Sequence, residues 1–333
     1  MKRSLLTVAL LVAVLVGWAA VALAQPAPIT LRLKFTPNEV VRYRVYGQVD
    51  GAMNMGMPNA PAGAPTSMPV QATVSAVATT KTLGVDSTGA ARLSVRLDKA
   101  EMATNMMGKQ IKMVLEAGKM TMYMDGQPTQ TMPFPGVPGM EGKLPLLQEP
   151  VSFKIDPRGK LLDFAIPGMP KLMPGMPDMT AMLQQNQILL PEQPLNVGDT
   201  WTEHQEIPYG NVPLVVNANY TLAGVETRNG KTIARIRVTM TASVQNADLG
   251  AMMKQYGQTM PPNMPAMQGS VSLAQNLEGT MLFNVTTGRF IRFDFQLTQQ
   301  MANSSTVTPP NQAQPMTVTT DMNFNMKGAV AAL

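Results

Sequence analysis

The chain has no cysteine, a single histidine and few aromatic residues, 5% in all, over 333 positions. Without cysteine there is no thiol nucleophile, no thiolate metal site, no disulfide framework and no thiol exchange. Such a chain must hold itself together by burial alone, and this one is long enough to do so. His204 has no serine and carboxylate setting that would make it a catalytic base. No Gly-x-Ser-x-Gly elbow, His-Glu-x-x-His pair or phosphate loop occurs. Charge is scarce too: 26 basic and 21 acidic residues leave +5, and no basic run is interleaved with aromatics. That argues against nucleic acid as a partner. Beyond the N-terminal segment, no apolar run is long enough to span a bilayer.

The N-terminal segment reads as an export signal. Lys2 and Arg3 precede an apolar run from Leu5 to Leu23, which closes on Ala22-Leu23-Ala24, the small-x-small pattern of a cleavage site. Residues 1–24 are therefore the expected signal peptide, leaving 333 − 24 = 309 residues and, without Lys2 and Arg3, a charge of +5 − 2 = +3. Gln25 rather than cysteine follows the cut, so no lipid anchor is attached there. The expected location is periplasmic or secreted, with no stable membrane anchor after cleavage.

Strand signals dominate the mature chain. Residues 30–35 and 40–49 alternate, with Leu31, Leu33 and Phe35, then Val41, Tyr43 and Val45, on one face. Hairpins are expected around Asp86-Ser87-Thr88-Gly89, Ala117-Gly118, Asp156-Pro157-Arg158-Gly159, Arg228-Asn229-Gly230 and Thr286-Thr287-Gly288, each with the residues such turns demand. Helical periodicity is confined to 178–188 and 247–256. The expected class is all-β and antiparallel, with one or two short helices and long Pro/Gly/Met loops at 50–69, 126–148, 167–177, 257–268 and 303–315.

The chain also echoes itself. Thr82 to Gly89 with Ala91-Arg92-Leu93-Ser94-Val95 resembles Thr221 to Gly230 with Ala234-Arg235-Ile236-Arg237-Val238. Val151-Ser152-Phe153-Lys154-Ile155 resembles Met281-Leu282-Phe283-Asn284-Val285, and Pro37 to Tyr43 resembles Val197 to Trp201. Matches in the same order imply two related halves. The expected layout is a first half over 25–166, a Met/Pro-rich connector with a short helix over 167–194, and a second half over 195–333. The halves would form a β-sandwich, or join edge to edge into a curved half-barrel.

The stretch Leu189 to Trp201, with its Val-Gly-Asp-x-Trp strand start, and the Lys-Phe-x-Pro-x-Glu-x-x-x-Tyr stretch from Lys34 to Tyr43 resemble a family of uncharacterised secreted bacterial proteins. That resemblance implies an all-β export product and no catalytic residues. A more distant resemblance is to the half-barrels that ferry lipoproteins or lipids across bacterial envelopes, a likeness of fold from which function does not follow.

Methionine is the compositional anomaly, 30 of 333 residues. A thioether side chain is flexible, polarizable and apolar, and adapts to varied ligands. Met169, Met173, Met176, Met179 and Met182 recur at helical spacing with Leu183, and are the expected lining for an apolar, lipid-like ligand or an envelope partner protein. The leading expectation is therefore a non-catalytic binding protein without cofactors. Thioether sulfur is also a soft ligand that selects Cu(I). Met53, Met55 and Met57, and Met120, Met122 and Met124, alternate as extended chains would need, which makes periplasmic copper binding the alternative. A hydrolase with paired carboxylates stands third. The simplest reading of all is methionine replacing leucine in cores and loops without any ligand.

Overall fold

The computed structural model describes residues 27–56, 66–106, 109–116, 119–133, 150–165, 188–209, 211–251, 268–307 and 316–333. Fourteen strands account for most of them. These are β1 (Val40–Gly56), β2 (Ser67–Val85), β3 (Ala91–Met106), β4 (Lys109–Glu116), β5 (Lys119–Met124), β6 (Gln127–Pro133) and β7 (Val151–Ile155). The rest are β8 (Leu161–Ala165), β9 (Thr200–Tyr209), β10 (Val212–Arg228), β11 (Lys231–Asp248), β12 (Gln268–Asn284), β13 (Arg289–Val307) and β14 (Met316–Ala332). All belong to one antiparallel sheet, in the order β6-β5-β4-β3-β2-β1-β14-β13-β12-β11-β10-β9, with β7 and β8 branching from the lower part of β3. The sheet is open: β6 and β9 stand at its two ends. β6 carries Pro128 and Pro133, which an edge strand tolerates and a central one does not.

Alternation sets the two faces. Along β1, Val41, Tyr43, Val45 and Val49 are half-buried while Arg42, Arg44, Tyr46 and Gln48 are exposed. The hairpins form where the sequence predicts them. Asp86 Oδ1 accepts from the Thr88 and Ala90 amides, and Asp156 Oδ1 from the Arg158 and Lys160 amides, giving the β2–β3 and β7–β8 turns the same Asx construction. Asn229 and Gly230 both adopt positive φ (50° and 72°), as a two-residue turn between β10 and β11 requires.

The same local geometry occurs twice along the chain. Asn38 and Gly198, both at positive φ, precede β1 and β9. The Asn38 amide donates to Thr82 O and the Thr82 amide to Glu39 O; the Gly198 amide donates to Leu222 O and the Leu222 amide to Asp199 O. Immediately afterwards each hairpin carries a bulge, between Thr82 and Gly84 and between Leu222 and Gly224. β3 then pairs with β7 as β11 pairs with β12. β1 pairs antiparallel with β14, which joins the sequence-distant strands into one continuous sheet.

The main core sits at the end of the strands where these turns lie. Leu31, Leu33, Leu190 and Leu195 pack with Tyr220, Leu222, Ile236, Val238, Met281 and Phe283. Residues 30–35, expected as a strand, make no ladder. Only Ile29 bridges to Leu195, and the segment lies as a plug tied down by individual bonds: the Leu33 amide to Pro157 O, the Lys34 amide to Gly288 O, and the Arg32 guanidinium to Pro191 O and Glu192 O. Residues 188–194, assigned to the connector, belong to this plug; the Leu190 amide donates to Arg158 O and Trp201 Nε1 to Leu189 O. Ile155 of β7 packs on the same cluster as Phe283 of β12. Six strand spacings separate them, ~29 Å in a flat sheet, so the sheet curls around its plug.

Three other expectations change. The 50–69, 126–148 and 303–315 loops are shorter, since β1 runs to Gly56, β2 starts at Ser67, β6 occupies 127–133 and β13 continues to Val307. Of the two helices, 178–187 lies outside the described residues. In the other, expected over 247–256, β11 extends through Asp248, whose carboxylate accepts the Ala251 amide at 2.7 Å where helix begins at 249–251, and 252–256 lie outside the described residues.

Candidate functional site

Directly paired residues of antiparallel strands share a face, so the ladder registers can be followed across the whole sheet. One such row runs Trp201, Tyr220, Val238, Gly279, Phe295, Gly328, Gly47, Val74, Met102, Met113, Met122, from β9 to β5. Trp201 stacks on Tyr220 with ring centroids 5.0 Å apart. The next row toward the far end of the strands begins at Glu203 and Ala218 and continues through Met240, Leu277, Leu297, Met326, Val49, Ala72 and Thr104 to Ile111 and Met124. This face is apolar through its middle. The opposite face carries Asn217, Glu278, Arg292, Asp294, Gln296, Asn325, Lys327, Gln48 and Thr73, and is largely polar, with Val40 and Tyr46 exposed on it.

Glycines set the relief of the apolar face. A methyl group added at Gly47 would strike the Met326 side chain, at Gly51 the Phe324 ring, at Gly279 the Phe293 ring, and at Gly328 the Phe295 ring. Large side chains thus lie flat across neighbouring strands that have none. Glycine in a strand interior also permits tight curvature. Away from the plug the face is half-buried on β13, β14, β1 and β2, and buried at Ile207, Val216 and Ala242 of β9 to β11.

Two polar atoms interrupt it. Gln205 Oε1 on β9 and Asn303 Oδ1 on β13 are buried and, among the described residues, accept no hydrogen bond. Gln205 lies opposite Val216, and Asn303 opposite Val271 and Thr320. By contrast Gln275 and Gln299 satisfy each other at 2.9 Å. A buried acceptor without a donor costs ~1–3 kcal/mol, which a ligand hydroxyl or amine would recover.

Electrostatics belongs to the other face and the turns. Asp98, in a bulge of β3, accepts from Thr79 Oγ1 at 2.5 Å and from Arg96 at 3.0 Å, and its carboxyl is held below the usual range by the Thr79 bond and then by arginine. Glu101 sits between Lys99 (2.7 Å) and Lys112 (3.0 Å), and is lowered for that reason. The Asp86 carboxyl is held well below the ordinary range by Lys154 and Thr88. These pairs are largely exposed and contribute little stability each. Among the described residues no group of three or more His, Cys, Asp or Glu side chains could hold a metal ion.

The structure separates the candidate residues into groups. Met169, Met173, Met176, Met179, Met182 and Leu183, the expected ligand lining, lie outside the described residues, as does Met57. Met53 and Met55 stand on β1, and Met120, Met122 and Met124 on β5, all half-buried. β1 and β5 are four strand spacings apart in the sheet order, ~19 Å along a flat sheet, so the two runs do not share one site. Each instead meets methionines of other strands. Met122 faces Met113, which faces Met102. Met53 faces Met68 on one side and Met322 on the other, and Met322 faces Met301. Met68, Met102, Met113, Met301 and Met322 carried no signal in sequence, because the methionines they meet across the sheet are set only by strand register.

The methionine face, the plug and the open sheet are the setting for the comparisons with known proteins. Residues 174–290 match a family described as Family of unknown function (DUF6263). The match includes the Leu189 to Trp201 stretch and the β9 to β12 portion of the core. No curated protein matches the chain. A match among solved structures is the crystal structure of Pseudomonas aeruginosa OccK8 (OprE), at 7% identity over 90% of this chain and 100% of that one, with a TM-score of 0.19. A superposition that poor carries no argument.

Proposed function

We propose that the protein is a non-catalytic, exported envelope protein that carries a lipid-like apolar ligand against the methionine-bearing face of its open sheet. The observation that carries this reading is the row of apolar residues and glycines that runs across the sheet from Trp201 to Met122, beside the plugged end of the strands. A face built from Met, Phe, Val and Gly offers adaptable apolar contact without fixing one ligand shape. Gln205 Oε1 and Asn303 Oδ1 supply two acceptors for a polar head or hydroxyl. The segments 57–65, 252–267 and 308–315 join strand ends opposite the plug, and their sequence holds Met57, Met252, Met253, Met260, Met264 and Met267.

Trp201 makes the test simple, because it is the sole tryptophan after Trp18 and lies on the apolar face. The chain secreted by a bacterial host and purified without detergent is expected to retain a lipid-range mass in native mass spectrometry. After delipidation, brominated fatty acid should quench Trp201 saturably. A clean mass with no quenching would remove the carrier reading and leave docking of an envelope protein as the use of this face.

A further inference from the structure

Near the strand ends farthest from the plug, four methionines stand abreast on consecutive strands. Met301 of β13 faces Met322 of β14, Met322 faces Met53 of β1, and Met53 faces Met68 of β2. None of the three pairings has a register shift anywhere along its length, so the row is straight. All four side chains are half-buried. Met55, two residues on and opposite Thr320, adds a fifth thioether to the same face.

We propose that Met53, Met68, Met301 and Met322 form a thioether site for a soft monovalent metal ion, Cu(I) by its chemistry. Opposed side chains in such a ladder start ~4.5–5.5 Å apart at Cβ. Each sulfur lies two bonds further out on a freely rotating stem, so three neighbours can turn their lone pairs on one point above the central strand. The row holds no carboxylate, imidazole or thiolate. Hard and borderline ions therefore find no ligand there, whereas thioether sulfur selects Cu(I). Thioethers carry no proton to displace, so occupancy is independent of pH across the range in which histidine and cysteine sites lose their metal. The shorter row Met102, Met113, Met122 has only three sulfurs, and Met102 at its end is exposed. The site needs no apolar ligand on the face and does not rest on the carrier reading.

The test uses the mature chain labelled at the methionine methyls, titrated anaerobically with Cu(I) against a competing chelator and separately with Ag(I). One ion per chain is expected, with the methyl resonances of Met53, Met68, Met301 and Met322 moving together and with the same affinity at pH 5.5 and 7.5. The pair M53L/M322L keeps the apolar volume and should weaken binding at least tenfold, while M240L leaves it unchanged. Should M53L/M322L lose its circular dichroism spectrum, M68L and M301L, at the ends of the row, are read instead and should each weaken binding. Unaltered affinity in the row variants, methyl shifts spread evenly over all methionines, or loss of binding in M113L/M122L instead would each overturn the site.

Discussion

His204 is the only histidine, so its titration can be read without assignment. Its Nδ1 is 2.7 Å from Asn217 Oδ1 and its Nε2 3.6 Å from Glu206 Oε1. Both neighbours accept, which favours the imidazolium and raises the pKa, the Asn217 bond most. A histidine whose folded pKa exceeds its unfolded value contributes stability below the unfolded value and loses it as pH rises through the folded one. The proton NMR midpoint should lie above 6.5 and fall in Asn217→Ala; a wild-type midpoint at or below 6.5 would refute the pairing. Tyr220 is the buried counterpart. Burial, helped by Glu203, pushes its phenol up to about 12, against ~10 when unfolded. Stability should therefore hold below pH 10 and decline by ~3 kcal/mol between pH 10 and 12, at ~1.4 kcal/mol for each pH unit. Denaturant melts of Tyr220→Phe, which cannot ionise there, should show that decline removed.

The strand is the scale at which the sequence was most legible. Alternation from Val41 to Val49 and the Asp86, Asp156 and Asn229 turns place most hairpins correctly, because both signals are local. The same alternation misplaces Leu31, Leu33 and Phe35, since an extended plug and a paired strand demand the same pattern of side chains. Whether a ladder forms depends on a partner the pattern does not name. The methionine row was invisible for a related reason: Met53 and Met322 meet only through the register of β1 on β14. Glycine separates the two kinds of strand position. At Gly51 a Cβ would press on the Phe324 ring and on the backbone of Asn323, whereas at Gly84 it would meet nothing within 4 Å. Gly51→Ala should cost ~1–3 kcal/mol by overpacking, and Gly84→Ala should fall within ~0.5 kcal/mol of the parent. Urea melts of the two variants compare them directly, and equal stabilities would contradict the flat-lying rings.

Over the whole molecule, burial is deepest at the plugged end, with a second buried cluster of Ile207, Val216 and Ala242 on β9 to β11, and it is only partial at the far ends of β1, β2 and β14. Leu31, Leu190, Leu222, Ile236 and Phe283 are fully buried at the plugged end, while Met53, Met68 and Met322, eight residues and ~26 Å along the strands from the row of Leu222 and Ile236, are half-buried. Hydrogen exchange should follow that gradient, with the amides of Tyr220, Ile236 and Phe283 slowest and those of 52–56 and 317–322 opening well below the global free energy. Uniform protection along β1 and β14 would show that the far end is as tightly held as the core. Leu190→Ala, which empties part of the plug, should cost ~2–5 kcal/mol and accelerate exchange at both Ile155 and Phe283.

The seam between β1 and β14 joins Tyr43 to Ala332, residues nearly the full chain apart. β1 emerges first and waits, with one long side unpaired, until the last strand arrives to occupy it. Contacts so remote in sequence are slow to form because the loop they close must be ordered first, and an unpaired strand side is a template for another chain. The centre of the finished sheet is thus the last part of it to be assembled, and until then the molecule has its most adhesive surface where it will later have none.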